Sequence, residues 1–177
     1  TPKLVISAAG GFKQKPGCPD YAQQALGEDR LQALCLGECY NPSEERFAID
    51  RIEVVKILPQ LSEDEDLNDL IQDPWRVQDC KGQTEGCSAE FTDPDYLRDG
   101  RPAVYYARAI QSPSPTINGQ ALRCTYDDNG QCIDVNPCYG DHRTKWSDAC
   151  LGDDERRAWS SPIYIQPTAN SAAMASQ

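Results

Sequence analysis

Histidine is almost missing from this chain: His142 is the single one in 177 residues. A multi-histidine metal centre cannot be built from it. No Gly-x-Ser-x-Gly elbow surrounds Ser160 or Ser161, and nothing in the spacing brings His142 to them, which argues against a Ser–His nucleophile. There is no glycine-rich phosphate cradle. No apolar run approaches the ~20 residues that cross a bilayer. Positive charge is scarce as well: Lys plus Arg is 17 against 28 Asp plus Glu, a net charge of -11. Such a surface repels nucleic acid and anionic lipid. With so many acids, pairs such as Asp153-Asp154 read as solvated surface rather than as acid–base machinery. The chain opens with neither Met nor a signal-peptide pattern but directly on a strand-like run, Lys3 to Ala9, so it is expected to be processed or a piece of something longer.

What the chain does have is cysteine, nine in all: Cys18, Cys35, Cys39, Cys80, Cys87, Cys124, Cys132, Cys138 and Cys150. In an acidic, loop-rich chain they predict a disulfide framework and a periplasmic or secreted location. Nine is odd, so at least one thiol is free or pairs with another chain. Cys132, Cys138, His142 and Cys150 could be read as zinc ligands, but close Cys-x2-Cys knuckles are lacking. Cys80 and Cys87 flank the turn Lys81 to Gly86 and are expected to close a hairpin of Trp75–Cys80 and Cys87–Thr92. Cys124, Cys132, Cys138 and Cys150 are expected to pair among themselves, with three connectivities open. Cys35-x3-Cys39 invites a redox reading but lacks the Cys-x-x-Cys spacing; the three N-terminal cysteines read first as staples of a lid.

Alternation of apolar side chains predicts the strands. Gly100 to Gln111 reads as the central one, with Tyr105, Ala107 and Ala109 on one face and Tyr106, Arg108 and Ile110 on the other. Ile49 to Leu58 is nearly continuous in apolar content and is expected to be covered on both faces along part of its length. Ala158 to Ile165 is the last strand, with Trp159 buried and Pro162 marking an edge or a bulge. Residues 18–48 read as a helical excursion, capped at Asp20, broken at Gly27, ended at Gly37, and with a further turn from Asn41. Ser62 and Glu65 form a capping box for a helix reaching Ile71. The same stretch offers Asp64, Asp66 and Asn68 at calcium-loop spacing, but Asp69 and Trp75 stand where the loop needs Gly and Glu. Asp127 to Gly130 is the tip of a second hairpin and a weaker calcium candidate. The resulting fold class is mainly β: an immunoglobulin- or fibronectin-III-like β-sandwich over residues 1–165. It carries a helical insertion (18–48) and a Cys-rich insertion (112–157), and residues 166–177 form a flexible or docking tail.

Tyr105-Tyr-Ala-Arg-Ala and Ala158-Trp-Ser-Ser-Pro-Ile-Tyr-Ile resemble the last two strands of such a sandwich. Seven segments in order carry a closer likeness: Lys15-Pro-Gly-Cys-Pro19, Gly37-Glu-Cys-Tyr-Asn-Pro-Ser43, Arg51-Ile-Glu-Val-Val55, Asp73-Pro-Trp-Arg-Val77, Tyr105-Tyr-Ala-Arg-Ala-Ile110, Asn136-Pro-Cys-Tyr-Gly140 and Ala158-Trp-Ser-Ser-Pro162. Over most of residues 3–165 the chain resembles the β-rich C-terminal region of a family of secreted bacterial proteins of unknown function. In that family a metal-dependent barrel, similar to the polymerase-and-histidinol-phosphatase phosphoesterases, precedes this end. The resemblance implies a hydrolase partner domain. No ligand of the barrel's His, Asp and Glu cluster maps onto these positions.

The functional expectation is a non-catalytic extracytoplasmic structural or docking subunit of a larger assembly, with protein partners, no cofactor and no nucleic acid. Peripheral association with the periplasmic face of a membrane complex is one setting. The alternative is the accessory end of a secreted phosphoesterase-like hydrolase, and a third reading is a calcium-binding adhesion module.

Overall fold

The computed structural model describes residues 1–167. In chain order the elements are β1 (Lys3–Ala8), β2 (Phe12–Gln14), α1 (Asp20–Leu26), α2 (Glu28–Cys35), β3 (Pro42–Arg46), β4 (Ile49–Ile57), α3 (Leu67–Leu70), β5 (Ile71–Gln83), β6 (Cys87–Thr92), α4 (Tyr96–Asp99), β7 (Ala103–Gln111), β8 (Ser114–Ile117), α5 (Gly119–Arg123), β9 (Cys124–Tyr126), β10 (Cys132–Val135), β11 (Leu151–Asp154), β12 (Arg157–Trp159) and β13 (Ile163–Ile165). Of the tail expected at 166–177, residues 168–177 lie outside the described residues.

The protein is mainly β and two-layered. One layer is an antiparallel sheet in the order β12-β7-β4-β5, with β13 continuing along β7; the other is the pair β1-β6. Their facing sides share one core, to which Leu4, Ala89 and Phe91 come from the small sheet and Ile52, Val54, Ala103 and Tyr105 from the large one. β4 and β7 are the inner strands, and Val54, Val55 and Lys56 are buried in succession. Consecutive side chains point to opposite faces, so β4 is covered on both sides there.

The pair Cys80–Cys87 forms as expected. The expected hairpin does not, because β5 ladders with β4 and β6 ladders with β1. The bridge therefore links the two layers. Cys80 turns inward by ordinary alternation, two residues on from Gln78, which pairs with the core residue Ile52; the β4–β5 register slips only beyond it, between Arg51 and Ile49.

Three local expectations are corrected. Asn41–Glu44 starts no helical turn; Pro42–Arg46 is β3, paired with β2, where Arg46 lies over the Phe12 ring at 3.8 Å. Only half of the capping box at Ser62 forms: the Glu65 carboxylate accepts from the Ser62 amide at 3.4 Å, but the Ser62 hydroxyl takes the Asp64 amide instead, Glu65 also pairs with Arg101, and the helix starts only at Leu67 under an Asp66 cap. Trp159 is 63 % exposed rather than buried. It sits opposite Arg108 on an edge strand, and directly paired residues share a face, so it joins the outer charged face.

That outer face is held by ion pairs. Arg51 meets Glu53 at 2.8 Å and grips both oxygens of Glu155 at 2.9 and 3.0 Å, while Arg108 bridges Glu53 and Asp73. Burial pushes Glu53 up, but the hydrogen bonds from Arg51 and Arg108 outweigh it and hold its carboxyl below the usual range. Glu155 leads from β11 to β12, so the Arg51 fork latches the return of the Cys-rich excursion onto the sandwich.

The excursion is closed at its base by the β8–β11 ladder. There the two backbones touch: a Cβ added at Gly119 would lie 2.1 Å from the Gly152 carbonyl oxygen. Beyond it, β9 and β10 form the expected hairpin. Bridges Cys124–Cys132 and Cys138–Cys150 select one of the three connectivities. Asn118 accepts from the Cys138 amide at 2.6 Å and donates to its carbonyl at 3.2 Å, which ties the second bridge to the base.

Candidate docking groove

A groove of about 230 Å³ runs between β1 and the break separating β12 from β13. Leu4, Val5 and Ile6 form one wall, Ser160 and Ile163 the other, and Tyr105 and Ala107 the floor. The break follows from sequence: Pro162 cannot donate to a ladder, and Ser160 fills the gap with its side chain. Its hydroxyl accepts from the Ala107 amide at 3.0 Å, and its own amide donates to the Ala107 carbonyl at 3.0 Å. This is the bulged strand that Pro162 predicts. Among the described residues β1 ladders only with β6, and β12 and β13 only with β7. Both walls are thus strands with one side unladdered, and Val5 is 70 % exposed on the first of them.

Beneath the floor lies a buried polar trio. Lys56 Nζ is 2.7 Å from Asp93 and 3.0 Å from Asp99, and the Tyr105 hydroxyl donates to Asp93 at 2.6 Å. Lys56, Asp93 and Tyr105 are each at most 2 % exposed. Burial pushes the Asp93 carboxyl up, but the bonds from Lys56 and Tyr105 outweigh it, and the net direction is down. Burial likewise lowers Lys56, and its two carboxylate partners more than reverse that. Burial first, then the Asp93 carboxylate, raise Tyr105, so its hydroxyl stays protonated. Trp75 packs edge-on against the Tyr105 ring at 5.6 Å between centroids. The groove floor is consequently fixed by a closed ion-pair and hydrogen-bond set.

The residues singled out from sequence lie elsewhere. Asp66 accepts from the amide and side-chain nitrogen of Asn68, both at 2.9 Å, so these two serve each other at the start of α3. Asp64 stands in the turn before them, its amide bonded to the Ser62 hydroxyl at 3.3 Å. Asp127 turns its carboxylate onto the amides of Asn129 and Gln131 at 2.9 and 2.8 Å, closing its own loop. The zinc set is divided: Cys132 bonds to Cys124, and Cys138 to Cys150. Among the described residues, two groups gather three possible metal ligands, Cys18/Cys35/Cys39 and Cys138/Asp148/Cys150. In each, two sulfurs are already joined in a disulfide. The unpaired cysteine is Cys35.

Sequence reasoning missed the groove. A clue was present in Ser160-Ser161-Pro162, three residues that interrupt an otherwise strand-forming run. The buried Lys56 was legible too, as a charge at a core-facing position of β4. No family model, curated protein or solved structure matches this chain. Four disulfides mark a chain that matures in an oxidising, extracytoplasmic compartment. No helix among the described residues is long and apolar enough to cross a membrane.

Proposed function

We propose that this chain is a non-catalytic structural or docking subunit of a larger extracytoplasmic assembly, and that it seats an extended segment of a partner protein in the groove between β1 and β13. The observation that carries this reading is the apolar groove bounded by two strands with unladdered edges. An added strand gains main-chain hydrogen bonds from such an edge and places alternate side chains in the pocket. The chain's charge of -11 selects a partner with basic flanks. A membrane complex with a periplasmic face is a fitting setting, because an acidic subunit docks on protein rather than on anionic lipid. A neighbouring domain in the same polypeptide would meet the same requirements, as in the accessory end of a phosphoesterase-like hydrolase.

The test is the native mass of the protein taken gently from its source without reductant. A mass well above 19.6 kDa is expected, falling to a single chain in Val5→Lys. Val5 is mostly exposed, so the variant is expected to fold. A wild-type protein that runs as a lone chain, or a complex indifferent to both Val5→Lys and Ile163→Asp, would reject the groove as the docking site.

A further inference from the structure

The three N-terminal cysteines form a compact sulfur cluster that the docking function does not use. Cys18 and Cys39 are bonded, joining the chain just before α1 to the chain just after α2, 21 residues apart. Cys35, the last residue of α2, keeps a free thiol. Its Sγ lies 3.4 Å from Cys39 Sγ and 4.0 Å from Cys18 Sγ. A free thiol in van der Waals contact with a disulfide holds both reactants of thiol–disulfide exchange in one place.

We propose that Cys35 and the Cys18–Cys39 bridge form an internal thiol–disulfide exchange site, in which Cys39 is the shared sulfur and the bridge moves between Cys18–Cys39 and Cys35–Cys39. The Cys35 thiolate attacks Cys39 Sγ. A Cys35–Cys39 bond forms as the Cys18–Cys39 bond breaks, and Cys18 leaves as a thiolate that takes up the proton Cys35 gave to solvent. One disulfide and one thiol stand on each side, so no oxidant or reductant is consumed.

Three features select this direction. Cys39 is the nearer of the two bonded sulfurs. Cys35 and Cys39 are half-buried, whereas Cys18 is 6 % exposed, so Cys39 is the more accessible of the two bonded sulfurs to the attacking thiol. Apart from its two sulfur neighbours, the Cys35 thiol is held among the described residues by one bond, to the Leu31 carbonyl at 3.2 Å. The three sulfurs form a triangle, so the in-line approach requires Cys35 to rotate about its own Cα–Cβ bond. It can do so at the end of α2, where Leu36 and Gly37 take left-handed conformations and the next turn of helix is missing.

The two bridges hold different things. Cys18–Cys39 ties the two ends of the helical excursion together. Cys35–Cys39 closes only four residues, and the ends are then joined by hydrogen bonds alone, such as Cys39 to the Gly17 carbonyl at 3.3 Å and Gly17 to Glu38 at 2.9 Å. Exchange therefore converts a stapled excursion into one that opens at its base.

The test uses the intact, unreduced chain. It is equilibrated at pH 8.5, quenched in acid, alkylated and mapped by mass spectrometry of its peptides. The expected result is label divided between Cys35 and Cys18, with none on Cys39. A Cys18→Ser variant is expected to form the Cys35–Cys39 bridge, and the excursion in that variant to be cleaved at least tenfold faster by protease than in Cys35→Ser. Label confined to Cys35 in the wild type would overturn the proposal, and label on Cys39 would overturn its assignment as the shared sulfur. The wild-type mapping stands by itself should Cys18→Ser fail to fold.

Discussion

The sandwich and the Cys-rich excursion hold their shapes by different means. In the sandwich, Ile52, Val54 and Tyr105 are fully or almost fully buried between two layers. In the excursion Ile133, Val135, Tyr139 and Trp146 stand exposed, and order comes from two disulfides, the β8–β11 ladder and the Asn118 bonds to Cys138. A segment that cannot bury enough apolar surface to offset its chain entropy is fixed by covalent closure instead. The two regions are thus expected to respond to different perturbations: the sandwich to loss of core groups, the excursion to loss of bridges.

The sharpest break of the sandwich is Lys56→Ala. It leaves Asp93 buried without its cation, and removing one partner of a buried pair costs about 3–5 kcal/mol. Thermal unfolding should show a large drop in Tm; a change under ~1 kcal/mol would mean that Asp93 finds water or another partner. Next comes removal of Cys138–Cys150 as a double Ser variant. A bridge closing a loop of this size contributes about 3 kcal/mol on the chain-entropy model. The loss should appear as faster amide exchange confined to residues 112–157, with the main unfolding transition unmoved. Loss of Cys80–Cys87 should instead lower that main transition by about 2–3 kcal/mol, because this bridge joins the layers.

A pH series sharpens the contrast further. The Asp93 carboxyl is held below its ordinary value, so its contribution is complete above the unfolded carboxylate range, near ~4, and is lost as pH falls through the lowered folded value. Lys56 is held above its ordinary value, so its contribution is complete below ~10.4 and is lost as pH rises beyond that. Sandwich stability is expected to be level between about pH 5 and 9, as far as this pair sets it, and its acid decline to flatten in Lys56→Met. An acid limb equally steep in that variant would assign the decline to other carboxylates. The smallest effect is expected at Asp66→Ala, about 0.5–1 kcal/mol for a lost cap on a four-residue helix. Added calcium should leave the Tm of the wild type unchanged.

The parts of the fold legible from sequence are those where a local pattern matched its surroundings. Ile49–Leu58 and Gly100–Gln111 are β-branched and aromatic runs, and both became inner strands. The pairing of Cys80 with Cys87 followed from proximity, yet the passage between layers did not, because a tight turn and a short crossing between sheets use the same residues. Pro42–Arg46 is polar and without alternation, so β3 left no periodic trace; β2 supplies its order. Trp159 misled because its size suggests burial, while edge position and register decide its face. The groove depends on β1 and β13 meeting from opposite ends of the chain, and that meeting has no local signature. Lys56 was visible as an anomaly, but its partner Asp93 arrives from beyond β6.

The touching backbones of Gly119 and Gly152 make the Cys-rich excursion a cassette. Its entry and exit lie side by side, so the sandwich perceives only a closed base, whatever length of chain lies beyond it. Loop-closure entropy grows slowly with length. The region past that contact can therefore be shortened, lengthened or replaced between Gly119 and Gly152, both kept, while β7 and β12 keep their register, and a tag or reporter inserted at Asp128–Asn129 would ride on the molecule without entering its core.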